Sequence, residues 1–201
     1  MAIYAQGGAV AKRLLVIVYP GVAEWEVAFP LFCLHPTITY EFASVSDKWV
    51  RGAMGFTIEA KMTLSEVDPS DFDGVYLPGG VHPQKGGFNR DLCHDEGLLS
   101  LLRVFAKEGK VTAALCGAPL VLGAAGLLEG RRFACEIEEA QGWLDGGVRV
   151  AEPVAVDGKI LTASLRGIIP FAAHLARLLG EERTAQEVEE FFVAGRRLLC
   201  R

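Results

Sequence analysis

The chain has 201 residues, 51% of them hydrophobic and 22% charged, which is material for one domain with a dry core and too little charge for disorder. Twenty Lys and Arg against 25 Asp and Glu leave a net charge of −5, a poor match for a phosphate polyanion, so no nucleic-acid partner is expected. No apolar run approaches the ~18 residues of a bilayer span, and nothing ahead of residue 14 has the pattern of a signal peptide, so no membrane association or secretion is expected.

Residues 1–13 show no periodicity and contain two adjacent glycines, which reads as a loose tail before a single domain over 14–201. Residues 14–19 form a continuous aliphatic run, the signature of a strand buried on both faces, and Pro20-Gly21 ends it. Val27, Leu31 and Leu34 predict a short helix over 24–34, kinked or ended near Pro30. A second strand is predicted over 38–46, followed by shorter extended pieces over 50–67 that break at Gly52 and Gly55. Residues 75–78 are a third buried strand, stopped by Pro78-Gly79-Gly80.

Leu98, Leu102 and Phe105 mark a helix that ends at Gly109. The strand over 110–115 runs straight into Cys116, and a small-residue helix over 119–128 carries Pro119 in its first turn, where the missing N–H costs nothing. A short strand over 131–134 and a helical stretch over 136–144 come next. Then comes a hairpin of 154–156 and 160–162 around Asp157-Gly158-Lys159. An apolar helix spans 168–179, and the last helix opens on the capping box Thr184-Ala185-Gln186-Glu187. Alternating strands and helices imply an α/β fold, a mostly parallel sheet with helices on both faces and its sites at the carboxyl ends of strands.

Three such strand ends carry chemistry. Cys116 sits where a buried strand turns into a helix between small residues, the geometry of a nucleophile elbow, and the helix end is expected to lower the thiol pKa. A cysteine also packs as a small hydrophobe, but the strand-Cys-Gly-x-Pro-helix context favours a reactive thiol. The amides of Gly80, after Pro78-Gly79, and of Gly117 would form an anion or oxyanion pocket, although Pro-Gly-Gly alone is only a turn. Glu24 and Glu26 read either as a solvated pair at a helix start or as one carboxyl aimed at Cys116. In the second case the carboxyl pKa rises, and the protonated acid donates a hydrogen bond to sulfur.

The five cysteines, Cys33, Cys93, Cys116, Cys135 and Cys200, are irregularly spaced with no CxxC pair, so a reducing cytoplasm is expected and no disulfide framework. Of the four histidines, His35 lies in a loop, His94 in an acidic helix start and His174 on an apolar stripe. His82 is near the proposed site and is a possible accessory. No metal-ligand spacing, GxGxxG or Walker pattern occurs, so no metal or nucleotide cofactor is expected.

Together these segments resemble the ThiJ/PfpI superfamily over 14–180. The matching residues are Tyr19-Pro20-Gly21 with Glu26 five residues on, Leu77-Pro78-Gly79-Gly80, and Ala114-Leu115-Cys116-Gly117-Ala118-Pro119. Ala124-Ala125-Gly126-Leu127-Leu128-Glu129-Gly130-Arg131-Arg132 and Arg166-Gly167 also match. The resemblance implies a flavodoxin-like three-layer sandwich and a homodimer with sites near its interface. It also implies Cys116 as nucleophile, Glu26 as partner acid, and the Gly80 and Gly117 amides as oxyanion pocket.

Members include deglycases, glyoxalase III-type enzymes, isonitrile hydratases and an intracellular peptidase, so the expected substrate is a small electrophile, a reactive carbonyl or an isonitrile. The chain departs from the pattern at Glu136, which stands where many members carry a histidine, and Gly117 rather than a histidine follows Cys116. Glu136 would then shuttle protons, or Cys135 would pair with Cys116 on oxidation. The missing histidine removes the base a cysteine peptidase needs, and it favours, as the rival to an enzyme, a redox-stress sensor or chaperone-like protein that uses oxidation of Cys116.

Overall fold

A computed structural model describes residues 11–138 and 142–194. The aliphatic run after the tail forms β1 (Lys12–Val18), in which every side chain from Leu14 to Val18 is fully buried. It is buried because the strand is central: β2 (Ile38–Ser44) pairs with it on one side and β6 (Gly74–Leu77) on the other, both parallel. Beyond β6 lies β7 (Val111–Leu115), then β11 (Ile160–Ala163) in parallel, and β10 (Val154–Asp157) closes that edge as the antiparallel partner of β11. The other edge is β5 (Met62–Thr63), which gives a seven-stranded sheet in the order β10-β11-β7-β6-β1-β2-β5.

Helices α1 (Glu24–Leu34), α4 (Ile168–Leu178) and α5 (Glu182–Phe192) pack together as one layer, and α2 (Glu96–Lys107) packs with α3 (Pro119–Ala124) in the other. The expected sandwich is therefore present. A hairpin of β3 (Trp49–Arg51) and β4 (Thr57–Glu59) stands outside the sheet, as does the parallel pair β8 (Arg132–Phe133) and β9 (Val148–Arg149).

Four local expectations are corrected. The sheet begins at Lys12, inside the expected tail, because Lys12 and Arg13 are held by Asp73: its carboxylate accepts from Lys12 Nζ and from the Arg13 N–H, each at 2.9 Å. The helix expected over 136–144 is absent from its described part: 136–138 and 142–144 form bends and turns, and 139–141 lie outside the described residues. Its backbone is claimed by neighbours instead. Glu136 N–H donates to Cys116 O at 2.9 Å, and Arg149 donates to the carbonyls of Cys135 at 2.9 Å and Ile137 at 2.6 Å.

Helix α3 stops at Ala124 rather than 128, ahead of Gly126 at φ 75°. Helix α5 starts at Glu182, so no capping box forms at Thr184, whose hydroxyl instead meets the Thr37 hydroxyl at 2.9 Å. Pro30 is kept inside α1.

Candidate active site

The three singled-out strand ends converge at the carboxyl edge of β1, β6 and β7. Cys116 continues the ladder of β7, with its N–H donating to Ala163 O at 2.8 Å, and then the chain reverses. It is the one described non-glycine residue at positive φ, 62°, in the left-handed region where a Cβ crowds the following carbonyl. The elbow is therefore a strained backbone held by the ladder before it and by α3 behind it.

Glu26, on the first turn of α1, is 3% exposed and has its carboxyl beside the Cys116 thiol, while its Oε2 accepts the Gly79 N–H at 2.9 Å. Gly79 is the wedge between them: a Cβ there would stand 2.5 Å from Glu26 Oε2 and 2.7 Å from Cys116 Cβ, so only glycine lets the two side chains meet. Of the two glutamates open at the sequence level, Glu26 is the one aimed at the thiol. Glu24 turns to the hairpin, where its buried carboxylate accepts the N–H groups of Met54 and Phe56. Residues two apart on a helix face different ways.

Two buried tyrosines, which sequence reasoning missed, brace this corner. Tyr19 donates to Pro78 O at 2.9 Å and Tyr76 donates to Glu26 O at 2.7 Å. Phe88 was missed too. Its ring lies against Gly117, where a Cβ would come within 2.6 Å of it.

The Gly117 N–H faces the sulfur of Cys116. The Gly80 N–H donates to none of the described residues, and Gly80 is fixed by its bridge to Val22. Glu136 lies beside the site, its N–H on Cys116 O and its Oε2 accepting the Leu165 N–H at 2.9 Å. Cys135 is buried, with its thiol 3.5 Å from Cys116 O. His82 is not brought to the thiol: its Nδ1 accepts the N–H groups of Gln84 and Lys85, and its Nε2 stands 3.2 Å from Asp91 Oδ2. Both ring nitrogens are spent within its own loop.

Burial pushes the Glu26 carboxyl up to about 7, with the Gly79 N–H and the thiol pulling it back and the charge of Glu136 adding to the rise. The Cys116 thiol is pushed up to about 12, first by burial and then by the charge of Glu26, against the Gly117 N–H. The raised carboxyl agrees in direction with the sequence expectation, but its first cause is burial, and the thiol pulls it down instead of raising it. The lowered thiol does not: α3 has six residues, and its end is outweighed by desolvation and two carboxylates. The pair therefore loses its protons as a unit, the first near neutrality, and carries one negative charge over a wide range above that.

Among the described residues no group of three His, Cys, Asp or Glu side chains is placed to hold a metal ion, and no helix is long and apolar enough to cross a membrane. A cavity of about 650 Å³ that Cys116 does not line lies between α1, the β3–β4 hairpin and α5, with Val27, Leu31, Phe32, Phe56, Val188 and Phe191 among its walls. Its lining includes the buried Cys33 but neither Cys116 nor Glu26, and its apolar walls suit packing rather than the chemistry of the elbow.

Residues 12–178 match the DJ-1/PfpI family, and the chain belongs to that family. It is 32% identical over 117 residues to a protein of Pyrococcus furiosus named deglycase PfpI, an overlap that covers 58% of this chain and 67% of that protein. Among solved structures, a cysteine-to-alanine mutant of a DJ-1 superfamily protein from Salmonella typhimurium superposes with a TM-score of 0.75 at 31% identity, over 90% of this chain and 97% of that one. Drosophila melanogaster DJ-1beta gives a TM-score of 0.78 at 27% identity, over 92% and 98%.

Proposed function

We propose that this protein is a cysteine-dependent enzyme that acts on a small reactive carbonyl, converting a 2-oxoaldehyde and water to a 2-hydroxy acid. The observation that carries the reading is the pairing of Glu26 with a strained Cys116 across Gly79. A relative named a deglycase agrees with carbonyl chemistry. Because the thiol is raised and the carboxyl sits near neutrality, Cys116 is activated during attack rather than ionised beforehand. Glu26 carboxylate takes the S–H proton as sulfur bonds to the aldehyde carbon, and the carbonyl π pair moves to oxygen. The free Gly80 N–H is the donor for that oxyanion, which Glu26 then protonates to give a hemithioacetal.

Glu26 next takes the proton from the former aldehyde carbon as the neighbouring ketone oxygen is protonated, giving an enediol; a proton is returned to the neighbouring carbon as the hemithioacetal hydroxyl loses its own, leaving a 2-hydroxy thioester. Water cleaves it to the acid and regenerates the thiol, so no oxidant or cofactor enters. The test mixes purified protein with methylglyoxal and assays lactate: the expected result is turnover that Cys116→Ala abolishes, and lactate formation surviving in that variant would refute the proposal.

A second reading is favoured by one observation: Cys116 is partly accessible while Cys33, Cys93 and Cys135 are buried. In a redox sensor, peroxide would oxidise Cys116 to a sulfinic acid facing Glu26. A stable two-oxygen adduct confined to Cys116, with no carbonyl turnover, would select it. The partner reading is a second copy of this chain, and the place for it is the face around the 650 Å³ cavity, where Phe32 is 64% and Phe56 62% exposed.

A further inference from the structure

Glu136 occupies an unusual position for a carboxylate. Its main chain is tied to the elbow through the 2.9 Å bond to Cys116 O, and its side chain is tied to the loop after β11 through Leu165 N–H. The strand β11 is the neighbour of β7, so this loop rims the same carboxyl edge as Cys116. One carboxylate oxygen is engaged by an amide, and Glu136 forms an ion pair with none of the described residues. Arg149 lies close in the chain fold but spends its guanidinium on the carbonyls of Cys135 and Ile137 and on the face of Phe133. The charges that act on Cys116 are those of Glu26 and Glu136, and among the described residues no arginine or lysine acts on Cys116 or Glu26; Arg166, next to Leu165 in the same loop, is exposed.

We propose that Glu136, standing over the thiol beside Glu26, makes this site select against anionic electrophiles, so that its substrates are neutral or cationic next to the reacting carbon. The proposal rests on Cys116 being the reacting atom, as in the function proposed above. A carboxylate- or phosphate-bearing carbonyl would have to bring its own charge up to a sulfur under the field of two carboxylates, with no arginine or lysine among the described residues acting on that sulfur. A neutral 2-oxoaldehyde or a carbonyl adduct of an amine meets no such barrier. This is specificity by repulsion rather than by a fitted contact.

The experiment compares alkylation of Cys116 by iodoacetamide and by iodoacetate, which share size and leaving group and differ in charge, with the modified Cys116 peptide followed by mass spectrometry. The reference is a small free thiol. The amide-to-acetate rate ratio at Cys116 is expected to exceed that of the reference by about threefold to tenfold, the order of magnitude for charges a few ångströms apart in a water-like dielectric. Glu136→Gln, which keeps an oxygen for Leu165 N–H, is expected to lower the ratio at least twofold, and Glu136→Lys to lower it further. Raising salt from about 10 mM to about 0.5 M should compress the ratio in the unmodified protein, a check that needs no variant.

A ratio equal to that of the free thiol, or one unchanged in Glu136→Gln, would overturn the proposal and leave Glu136 as a tie for the loop. Alkylation needs no turnover, so a protein inert to methylglyoxal but selective between the two reagents would sink the proposed function alone.

Discussion

Tyr76 donates its hydroxyl to the main-chain carbonyl of Glu26 at 2.7 Å, and that carbonyl is the one Pro30, four residues on, has no N–H to fill. The proline inside α1 thus creates a buried acceptor, and the tyrosine on β6 satisfies it while pinning the helix turn that carries the carboxylate. Tyr76→Phe should cost about 1–3 kcal/mol of stability and lower kcat, because a buried acceptor is left unpaired. In a Pro30→Ala background, where an N–H is restored, the same change should cost less. Guanidinium unfolding of the four proteins checks this, and equal costs in both backgrounds would contradict it.

Gly79→Ala places a methyl between Glu26 Oε2 and Cys116 Cβ, at 2.5 and 2.7 Å. Cys116 Cβ is fixed next to the backbone, and Glu26 Oε2, the end of a side chain, can yield only by leaving its bond to the Gly79 N–H, so the pair must separate. The expected outcome is a loss of activity of more than about tenfold and a stability loss of about 1–3 kcal/mol, from steady-state kinetics and thermal unfolding.

The strain at φ 62° has its own signature. Cys116→Gly and Cys116→Ala both lack the thiol and should both be inactive, yet the glycine variant should be the more stable by about 1 kcal/mol, because only glycine adopts that conformation freely. An alanine variant as stable as the glycine one would show that the elbow is relaxed.

If a second copy covers the apolar face, Phe32→Glu should shift the protein from dimer to monomer in sedimentation at micromolar concentration without unfolding it. A mass unaffected by the change would place the interface elsewhere.

Much of this was legible in the chain. The strands β1, β6 and β7 could be read because a strand buried on both faces is a continuous apolar run, and the elbow because Pro119 and small residues bracket Cys116. The choice between Glu24 and Glu26 could be read only through the family resemblance, since both sit in one helical turn and what separates them physically is the hairpin that Glu24 caps. The helix expected over 136–144 failed because the Arg149 side chain takes the Ile137 carbonyl, which a helix would use, while the Glu136 N–H is drawn to Cys116 O. The thiol pKa was misjudged because chain order reveals a helix end but not how deeply the sulfur is buried or that Glu136 comes alongside.

The central claim is that Glu26 takes the thiol proton, and the pH dependence of kcat/KM tests it most directly. Burial raises the Glu26 carboxyl to about 7, so the base form is scarce below that pH and abundant above it. The rate on methylglyoxal should climb from pH 5.5 to 8.5 with an apparent pKa of about 7, and in Glu26→Gln it should be lower by about 10²- to 10⁴-fold with that rise gone. A Glu26→Gln enzyme that keeps the same rise, or the same rate, would contradict the account.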